Sequence, residues 1–230
     1  MSNAGTEGNV ARETITLGAL NRWLRLRGVS EREITAIASE IDDALWTAVQ
    51  ARVPETLHAM GQGIIPRSGF GFSGEAGRGK TFAMVCYMRA LVEDRWRENK
   101  VEAAKAWLEW RRWPEWASEM RAGAVRDGGY ADAEHEAKRL ARVPALVLDD
   151  LGAERMKGSG YEDDWIASTL DLLIDRRYNA LLPTWYTTNL TAQEIRSRYG
   201  ARLYSRLCSE NKLISVPTGP DLRVNNARSQ

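Results

Sequence analysis

The stretch GEAGRGKT at residues 74–81 decides how the chain is expected to fold. It satisfies the pattern G-x-x-x-x-G-K-[ST], in which glycines let backbone N–H groups wrap phosphate oxygens. A short apolar stretch precedes it and an amphipathic stretch follows it, so we expect a strand, a phosphate-binding loop and a helix whose N-terminus adds positive charge. Lys80 is expected to reach the β- and γ-phosphates, and the Thr81 hydroxyl to bind Mg²⁺. The candidate nucleotide-binding residues are Gly74, Glu75, Ala76, Gly77, Arg78, Gly79, Lys80 and Thr81.

Two carboxylates follow another strongly apolar stretch. Residues 145–148, ALVL, predict a short buried strand, and Asp149 and Asp150 come directly after it. An enzyme that hydrolyses a nucleotide phosphate needs an acid at such a position to hold Mg²⁺, and Asp149 fits that role. Asp150 fits the position that orients or deprotonates the attacking water. Because Asp is shorter than the Glu often used there, the sequence predicts slow turnover.

A third group of polar residues ends the predicted strand Pro183 to Thr187. The carboxyl ends of parallel strands meet at one edge of a sheet, so Thr188 and Asn189 are expected to lie near Asp149. Asn189 could hold the attacking water or the γ-phosphate. Asn also favours helix N-caps, and the spacing alone supports both interpretations equally.

Two arginines lie on one face of the predicted helix Ile195 to Cys208. Arg202 and Arg206 are four residues apart, which makes them neighbours on a helix surface. An arginine that reaches the γ-phosphate of a neighbouring subunit accelerates hydrolysis, whereas the spacing alone favours a solvated basic face. Arg223, after the last predicted strand, is a weaker candidate for a phosphate contact within the same chain.

Strands and helices alternate in the larger, later part of the chain, which is typical of a parallel sheet covered by helices on both faces. Residues 61–71 are rich in Gly and Pro and place the expected domain boundary near their start. The residues before them predict helices, one of which begins with a capping box formed by Ser30 and Glu33. We therefore expect a small helical region, residues 1–60, and an α/β domain, residues 61–230.

The composition excludes several classes of protein. The chain has 230 residues, of which 32 are basic and 31 acidic, with a net charge of +1. Contact with nucleic acid therefore has to come from a local patch. No run reaches the roughly 18 to 20 apolar residues of a membrane helix, and Met1 to Val10 has no apolar core of a secretory signal. Cys86 and Cys208 have no metal-site spacing, so we expect a cytoplasmic protein with reduced thiols.

Tryptophans recur at every third position from Trp107 to Trp116, with two arginines between them. Aromatic rings beside arginines can stack the bases of single-stranded DNA. Tryptophan is also a good core residue, and core packing is the favoured interpretation.

Six motifs occur in an order that resembles one group of proteins. They are the phosphate loop, LDDLG at 148–152, LIDRRY at 173–178, TTNL at 187–190, SRL at 205–207 and GPDLR at 219–223. Together they resemble the DnaC-type replicative helicase loaders and the related IstB-type transposition ATPases, both of the AAA+ class. The resemblance covers residues 61–225. It implies an α/β P-loop AAA+ core with sheet order 5-1-4-3-2 and no C-terminal lid domain.

The resemblance also implies a function. It implies an ATPase that uses ATP and Mg²⁺, forms homo-oligomers through its nucleotide site, binds single-stranded DNA, and loads a DnaB-type replicative helicase during DNA replication. By position, Asn189 resembles the sensor-1 residue, Arg206 the arginine finger and Arg223 the sensor-2 arginine. The Asp pair is usual in this family. Residues 1–60 lack the zinc-binding cysteines of some loaders, so helicase binding through them is a further expectation, and the short chain suits a phage or prophage loader.

Two other functions would use the same nucleotide-site residues. A transposition ATPase of the IstB type would act on duplex DNA with a transposase. A helicase adaptor or inhibitor would bind nucleotide with little turnover. The choice of DNA separates the first alternative from a loader, and the turnover rate separates the second.

Overall fold

The computed structural model describes residues 18, 20–35, 43–61, 69–97, 108–124, 129–154, 161–208, 213–219 and 221. Within these residues the helices are α1 (20–26), α2 (Glu31–Ile34), α3 (Asp43–Gly61), α4 (Lys80–Arg97), α5 (Trp113–Ala124), α6 (Gly129–Leu140), α7 (Tyr161–Asn179) and α8 (Ala192–Cys208). The strands are β1 (Gly71–Ser73), β2 (Leu108–Arg112), β3 (Ala145–Leu151), β4 (Thr184–Thr188) and β5 (Leu213–Ser215).

These strands form one parallel sheet in the order β2-β3-β4-β1-β5. Read from the other edge, this is the order 5-1-4-3-2, so the predicted AAA+ sheet is confirmed. Because all the strands run in one direction, the segments after β1, β3 and β4 leave the sheet at the same edge. That edge brings together the phosphate loop, the Asp149–Asp150 pair and Asn189.

Strand β3 is irregular at its carboxyl end. Leu148 pairs with Tyr186 of β4 and Leu151 pairs with Thr188, so β3 uses one residue more than β4 over this stretch. Such a bulge breaks the regular alternation of side chains and re-aims them. Here Asp149 is buried and Asp150 stays partly exposed, which gives the two adjacent acids different surroundings.

Apolar side chains cover both faces of the sheet. Phe72, Val147 and Trp185 belong to the buried cluster that contains residues of α4, whereas Leu148 and Tyr186 belong to the cluster that contains residues of α7. A strand buried on both faces needs apolar residues at successive positions, which explains the unbroken ALVL run of β3. No described helix is long and apolar enough to cross a membrane.

Three tryptophans of the stretch from Trp107 to Trp116 lie in the core. Trp110, Trp113 and Trp116 are 0%, 0% and 4% exposed, so core packing is confirmed for them, and Trp107 lies outside the described residues. The sequence predicts a strand at 106–110 and a helix from Pro114 to Arg121. The structure has the strand at Leu108–Arg112, and the helix begins at Trp113. The strand extends to Arg112 because this residue pairs in register with Asp149 of β3.

The N-terminal helices pack against α4. The Ser30 hydroxyl accepts a hydrogen bond from the Glu33 N–H at 3.3 Å, and the Ser30 N–H donates to the Glu33 carboxylate at 3.1 Å, so the capping box is confirmed. Leu24 and Ile34 are fully buried in the same cluster as Phe72 of β1. The division of the chain into residues 1–60 and 61–230 stays a prediction.

A proline at position 54 predicts the end of one helix or the start of a further one, but helix α3 continues through Pro54. Proline removes one backbone hydrogen bond from a helix interior. Packing against α4 offsets this cost, because Val53 and Leu57 pack against the buried cluster and Thr56 and Tyr87 share a buried hydrogen bond of 2.6 Å.

Candidate nucleotide-binding site

The phosphate loop adopts backbone conformations that favour glycine. Gly77 and Gly79 have φ angles of 77° and 79°, in the left-handed region that residues with a Cβ atom rarely occupy. A Cβ atom on Gly77 would also collide with the carboxylate of Asp221. The glycine spacing of residues 74–81 is therefore required by this loop.

The side chain of Lys80 lies inside this loop. Its Nζ donates hydrogen bonds to the carbonyl oxygens of Gly74 and Glu75 at 2.8 and 2.7 Å and to Asn189 Oδ1 at 2.8 Å. The cap of α8 is supplied by Thr191 instead, whose hydroxyl accepts from the Glu194 N–H at 3.3 Å. Asn189 is thus held at the phosphate loop rather than at a helix cap.

Asp149 lies at the centre of a hydrogen-bonded group. Its Oδ1 accepts from the Thr81 hydroxyl at 3.0 Å and from the Thr187 hydroxyl at 2.7 Å. Burial, and then the neighbouring charge of Asp150, raise the pKa of Asp149 to about 7. A nearly inaccessible carboxylate is costly without a cation. The Asp149 carboxylate and the Thr81 hydroxyl both offer hard oxygen ligands, the kind that Mg²⁺ prefers.

Asp150 projects from the bulge of β3 with a φ of 57°, an uncommon conformation for a residue other than glycine. Its N–H donates to the Thr187 hydroxyl at 2.9 Å. Its carboxylate lies 3.4 Å from the guanidinium of Arg112, which also contacts Glu115 at 2.7 Å. The bulge therefore holds Asp150 next to a cation of the neighbouring strand.

Sequence reasoning missed Arg112. The residue ends β2, directly opposite Asp149 in the sheet register, and its Nε lies 3.9 Å from the Asp149 carboxylate. The sequence predicts this strand two residues too early and so places Arg112 beyond its end. The pairing of Arg112 with Asp149 could therefore not be predicted. The only signal was a basic residue shortly after a predicted strand.

One cavity of about 260 Å³ joins these groups. It is lined by residues 76–82 of the loop and α4, by Arg112, Asp150, Ala153 and Asn189, and by Arg32 and Glu33 of α2. The last two come from the N-terminal helical region, to which sequence reasoning assigned no nucleotide contact. The cavity has both signs of charge, with Lys80 at the loop and Asp150 at the end of β3.

Two of the predicted residues, Arg202 and Arg206, stand apart from this group. Arg206 bonds the carboxylate of Asp175 at 2.6 Å and Arg202 bonds the same carboxylate at 2.9 Å, on the surface between α7 and α8. The Arg206 guanidinium also lies over the ring of Tyr178 and does not line the cavity of the same chain. Arg223 lies outside the described residues.

The residues at the cavity fit a nucleotide phosphate and Mg²⁺. The loop supplies the glycine-dependent backbone and Lys80, while Thr81 and Asp149 lie 3.0 Å apart and offer oxygen ligands. Arg78 is less suited to a direct contact, because the residue is buried and its Nε donates to the Pro217 carbonyl at 3.2 Å. That bond ties the loop to the segment after β5.

The fold is shared with known replication proteins. No protein-family model matches the chain, and no curated protein matches it in sequence. A crystal structure of the DnaC helicase loader superposes with a TM-score of 0.58 and 21% identity over 82% of this chain and 100% of that chain. DnaI superposes with a TM-score of 0.59 and 21% identity, over 84% of this chain and 94% of that chain. The chain has the fold of the DnaC-type AAA+ helicase loaders.

A nucleotide-bound protein shares this fold more distantly. DnaA from Aquifex aeolicus, solved with AMPPCP, superposes with a TM-score of 0.50 and 12% identity over 80% of this chain and 48% of that chain. At these identities the likeness concerns the fold. The expected phage or prophage origin stays a prediction.

Proposed function

We propose that the chain is an ATP-dependent loader of a DnaB-type replicative helicase onto single-stranded DNA. The observation that carries the proposal is the convergence of Lys80, Thr81, Asp149 and Asn189 at one sheet edge, in a chain whose fold matches all of the chain in a DnaC helicase loader crystal structure. A switch that acts through ATP needs such a site. The choice of a helicase as the partner rests on the likeness to DnaC, which is itself a helicase loader.

The chain's own residues have distinct tasks at the bound nucleotide. The loop amides and Lys80 bind the β- and γ-phosphates, and Lys80 exchanges its carbonyl partners for phosphate oxygens. Thr81 and Asp149 hold Mg²⁺, which neutralises charge on the phosphates when bound. Asn189, already at Lys80, senses the γ-phosphate. Lys80, Thr81 and Asn189 line the cavity, and Asp149 is joined to it through the hydrogen bond from Thr81.

Hydrolysis is expected to be slow. Asp150 is the residue that orients or deprotonates the attacking water, and its short side chain leaves a longer gap than Glu. Its Oδ2 also lies 3.4 Å from the Arg112 guanidinium, so this oxygen already has a cation as its partner. Slow turnover suits a protein in which the ATP state controls assembly.

The oligomer is proposed to complete the site in trans. Arg206 is the arginine that a neighbouring subunit contributes to the γ-phosphate, and in this chain it is held by Asp175 at 2.6 Å. Assembly would therefore exchange one charged partner for another. A mixture of Lys80→Ala and Arg206→Ala proteins should recover part of the ATPase rate, because mixed interfaces combine an intact loop with an intact arginine.

The first experiment measures the complex mass by light scattering. The purified protein is mixed with the replicative helicase of its source cell, with and without ATP–Mg²⁺, and Lys80→Ala serves as the matched control. We expect a complex of defined stoichiometry whose formation responds to ATP in the wild type and not in the variant. A helicase-loading assay on circular single-stranded DNA then separates a loader from an inhibitor.

Two outcomes would contradict the proposal. No complex under any nucleotide condition, together with ATP-dependent binding of duplex DNA, would favour the transposition ATPase. A firm complex with no loading and turnover near zero would favour the adaptor or inhibitor.

A further inference from the structure

The N-terminal helical region reaches the proposed nucleotide site. Arg32 and Glu33 of α2 line the same cavity as Lys80 and Thr81. Asp150 at the end of β3 lines it as well. Helix α2 therefore forms one wall of the cavity that holds the phosphate loop.

The position of α2 is fixed by packing against α4, the helix that begins with Lys80. Ile34 is fully buried and Val29 is 4% exposed. Arg89 of α4 donates a hydrogen bond to the Ile34 carbonyl and another to Asn21 Oδ1 at 2.7 Å. These contacts hold the turn between α1 and α2 on the helix that carries the phosphate loop. The side chains of α2 are thus placed relative to the cavity by α4 itself.

Arg32 has a different environment from Arg25 and Arg27. Arg25 is paired with Glu31 and Arg27 with Glu109. Arg32 is exposed, its guanidinium lies over the ring of Phe82 at 5.9 Å, and it has no carboxylate partner among the described residues. An aromatic ring orients a guanidinium without neutralising its charge. A planar guanidinium with five donors is well suited to phosphate oxygens.

We propose that Arg32 is a phosphate-binding residue that the N-terminal helical region supplies to the nucleotide. The proposal rests on the nucleotide site proposed above and assigns part of that site to a region outside the phosphate loop, the acids and Asn189. If Arg32 binds the nucleotide, nucleotide binding favours the docked position of α2, and docking favours nucleotide binding by the same factor. The N-terminal region then responds directly to the nucleotide state.

The test compares nucleotide affinities of matched variants. Isothermal titration with AMPPCP–Mg²⁺ is performed on the full chain for the wild type, Arg32→Gln, Arg32→Lys, Arg25→Gln and Lys80→Ala. We expect Arg32→Gln to bind about tenfold more weakly, as for the loss of one charge-assisted contact. Arg32→Lys keeps the charge but loses the planar guanidinium, so we expect its affinity to lie between those of the wild type and Arg32→Gln. Arg25→Gln, which removes an exposed arginine of the same region outside the cavity, stays within about twofold of the wild type.

The outcomes separate this inference from the proposed site. Unchanged affinity in Arg32→Gln with loss of binding in Lys80→Ala would overturn the role of Arg32 and leave the site intact. Unchanged binding in Lys80→Ala would overturn the site itself. A loss in Arg32→Lys as large as in Arg32→Gln would contradict a contact that depends on charge.

A second measurement tests the coupling to the N-terminal region. Amide hydrogen exchange of residues 20–35 is followed with and without AMPPCP–Mg²⁺. We expect nucleotide to slow exchange there in the wild type and in Arg25→Gln, and to have little effect in Arg32→Gln at saturating nucleotide. Equal slowing in the wild type and Arg32→Gln would show that α2 does not depend on Arg32 for its response.

Discussion

Two buried cations lie at opposite ends of strand β4. Lys80 is near the carboxyl end, where it bonds Asn189 and two loop carbonyls, and is 6% exposed. Arg177 of α7 is near the amino end and is fully buried. Its guanidinium donates to the Thr184 hydroxyl at 2.9 Å and to three backbone carbonyls at 2.6 to 2.7 Å, those of Leu140, Val143 and Pro183.

The two cations differ in what their partners can exchange. Lys80 lines a cavity of about 260 Å³, so phosphate oxygens can replace the loop carbonyls. Arg177 uses its donors to join the segments that lead into β3 and β4, and these acceptors are fixed by the fold. Burial lowers the pKa of Arg177 to about 9, which leaves it charged at neutral pH. A buried cation is therefore functional or structural according to whether its partners border open space.

The largest expected effect is on stability at the amino end of the sheet. Arg177→Met keeps an apolar stem but leaves the Thr184 hydroxyl and three buried carbonyls without a donor. Since each unsatisfied buried group costs about 1 to 3 kcal/mol, we expect the free energy of unfolding in urea to fall by about 3 kcal/mol or more. Arg176→Met, at the exposed neighbouring arginine, should change it by less than about 0.5 kcal/mol. Equal small effects would mean that Arg177 is not a structural cation.

The second effect is on binding at the carboxyl end. Lys80→Ala should lower the affinity for AMPPCP–Mg²⁺ by about 100-fold, because charge-assisted phosphate contacts are lost, which equals about 2.7 kcal/mol. The free energy of unfolding should change by less than about 1 kcal/mol, since water can reach the freed carbonyls from the cavity. Lys138→Ala, which removes an exposed lysine of α6, is the control. A large loss of stability in Lys80→Ala would make the two cations equivalent.

The third effect concerns the buried acid beside Lys80. The pKa of Asp149 is raised from 3.8 to about 7, so the native state binds this proton more tightly than the unfolded state does. Without metal, the stability of the wild type should therefore fall as the pH rises between these values. Asp149→Asn can still accept from Thr81 and Thr187 but carries no charge. We expect it to be more stable than the wild type at pH 8 and not to be stabilised by AMPPCP–Mg²⁺.

The exposed Asp132 of α6 provides the control for this variant. Asp132→Asn should keep both the pH dependence of the wild type and its stabilisation by AMPPCP–Mg²⁺, measured by urea unfolding at pH 5 and pH 8. An Asp149→Asn protein less stable than the wild type at pH 8 would mean that the charged carboxylate is favourably paired in the native state, for example with Arg112.

The site residues that could be predicted from sequence belong to short continuous patterns. The glycines of residues 74–81 indicate the backbone conformation of the loop. Asp149 and Asn189 come at the ends of predicted strands, which share one edge of the sheet. Residues that reach the site through tertiary packing could not be found this way. The position of Arg112 at the site depends on the register of β2 against β3, and the position of Arg32 depends on the docking of α2 against α4.

The fold was predictable in two different ways. The alternation of strands and helices predicted a parallel sheet, whereas the strand order came from the resemblance to DnaC-type loaders, because periodicity carries no information on which strands are neighbours. Arg177 lies in one of the motifs of that resemblance, yet nothing in the pattern indicated burial. An arginine in an amphipathic helix normally faces solvent, and only the loops that meet at its guanidinium reveal its role.

The smallest expected effect is at a group of charges that is neither buried nor beside the cavity. Glu136 of α6 bonds Arg139 and Arg111 near Glu109 of β2, and its side chain is 27% exposed. The hydrogen bond from Arg139, and then that from Arg111, lower the pKa of Glu136 to about 2. Its contribution to stability is therefore present above its ordinary pKa and is lost as the pH falls toward 2.

Because solvent screens partly exposed pairs, Glu136→Gln should cost less than about 1 kcal/mol of unfolding free energy at pH 7, and the cost should shrink in 1 M salt. A loss of unfolding free energy as large as that of Arg177→Met would show that these charges stabilise the sheet edge as a buried cation does. Exposure to solvent would then not distinguish structural charges from weakly stabilising ones.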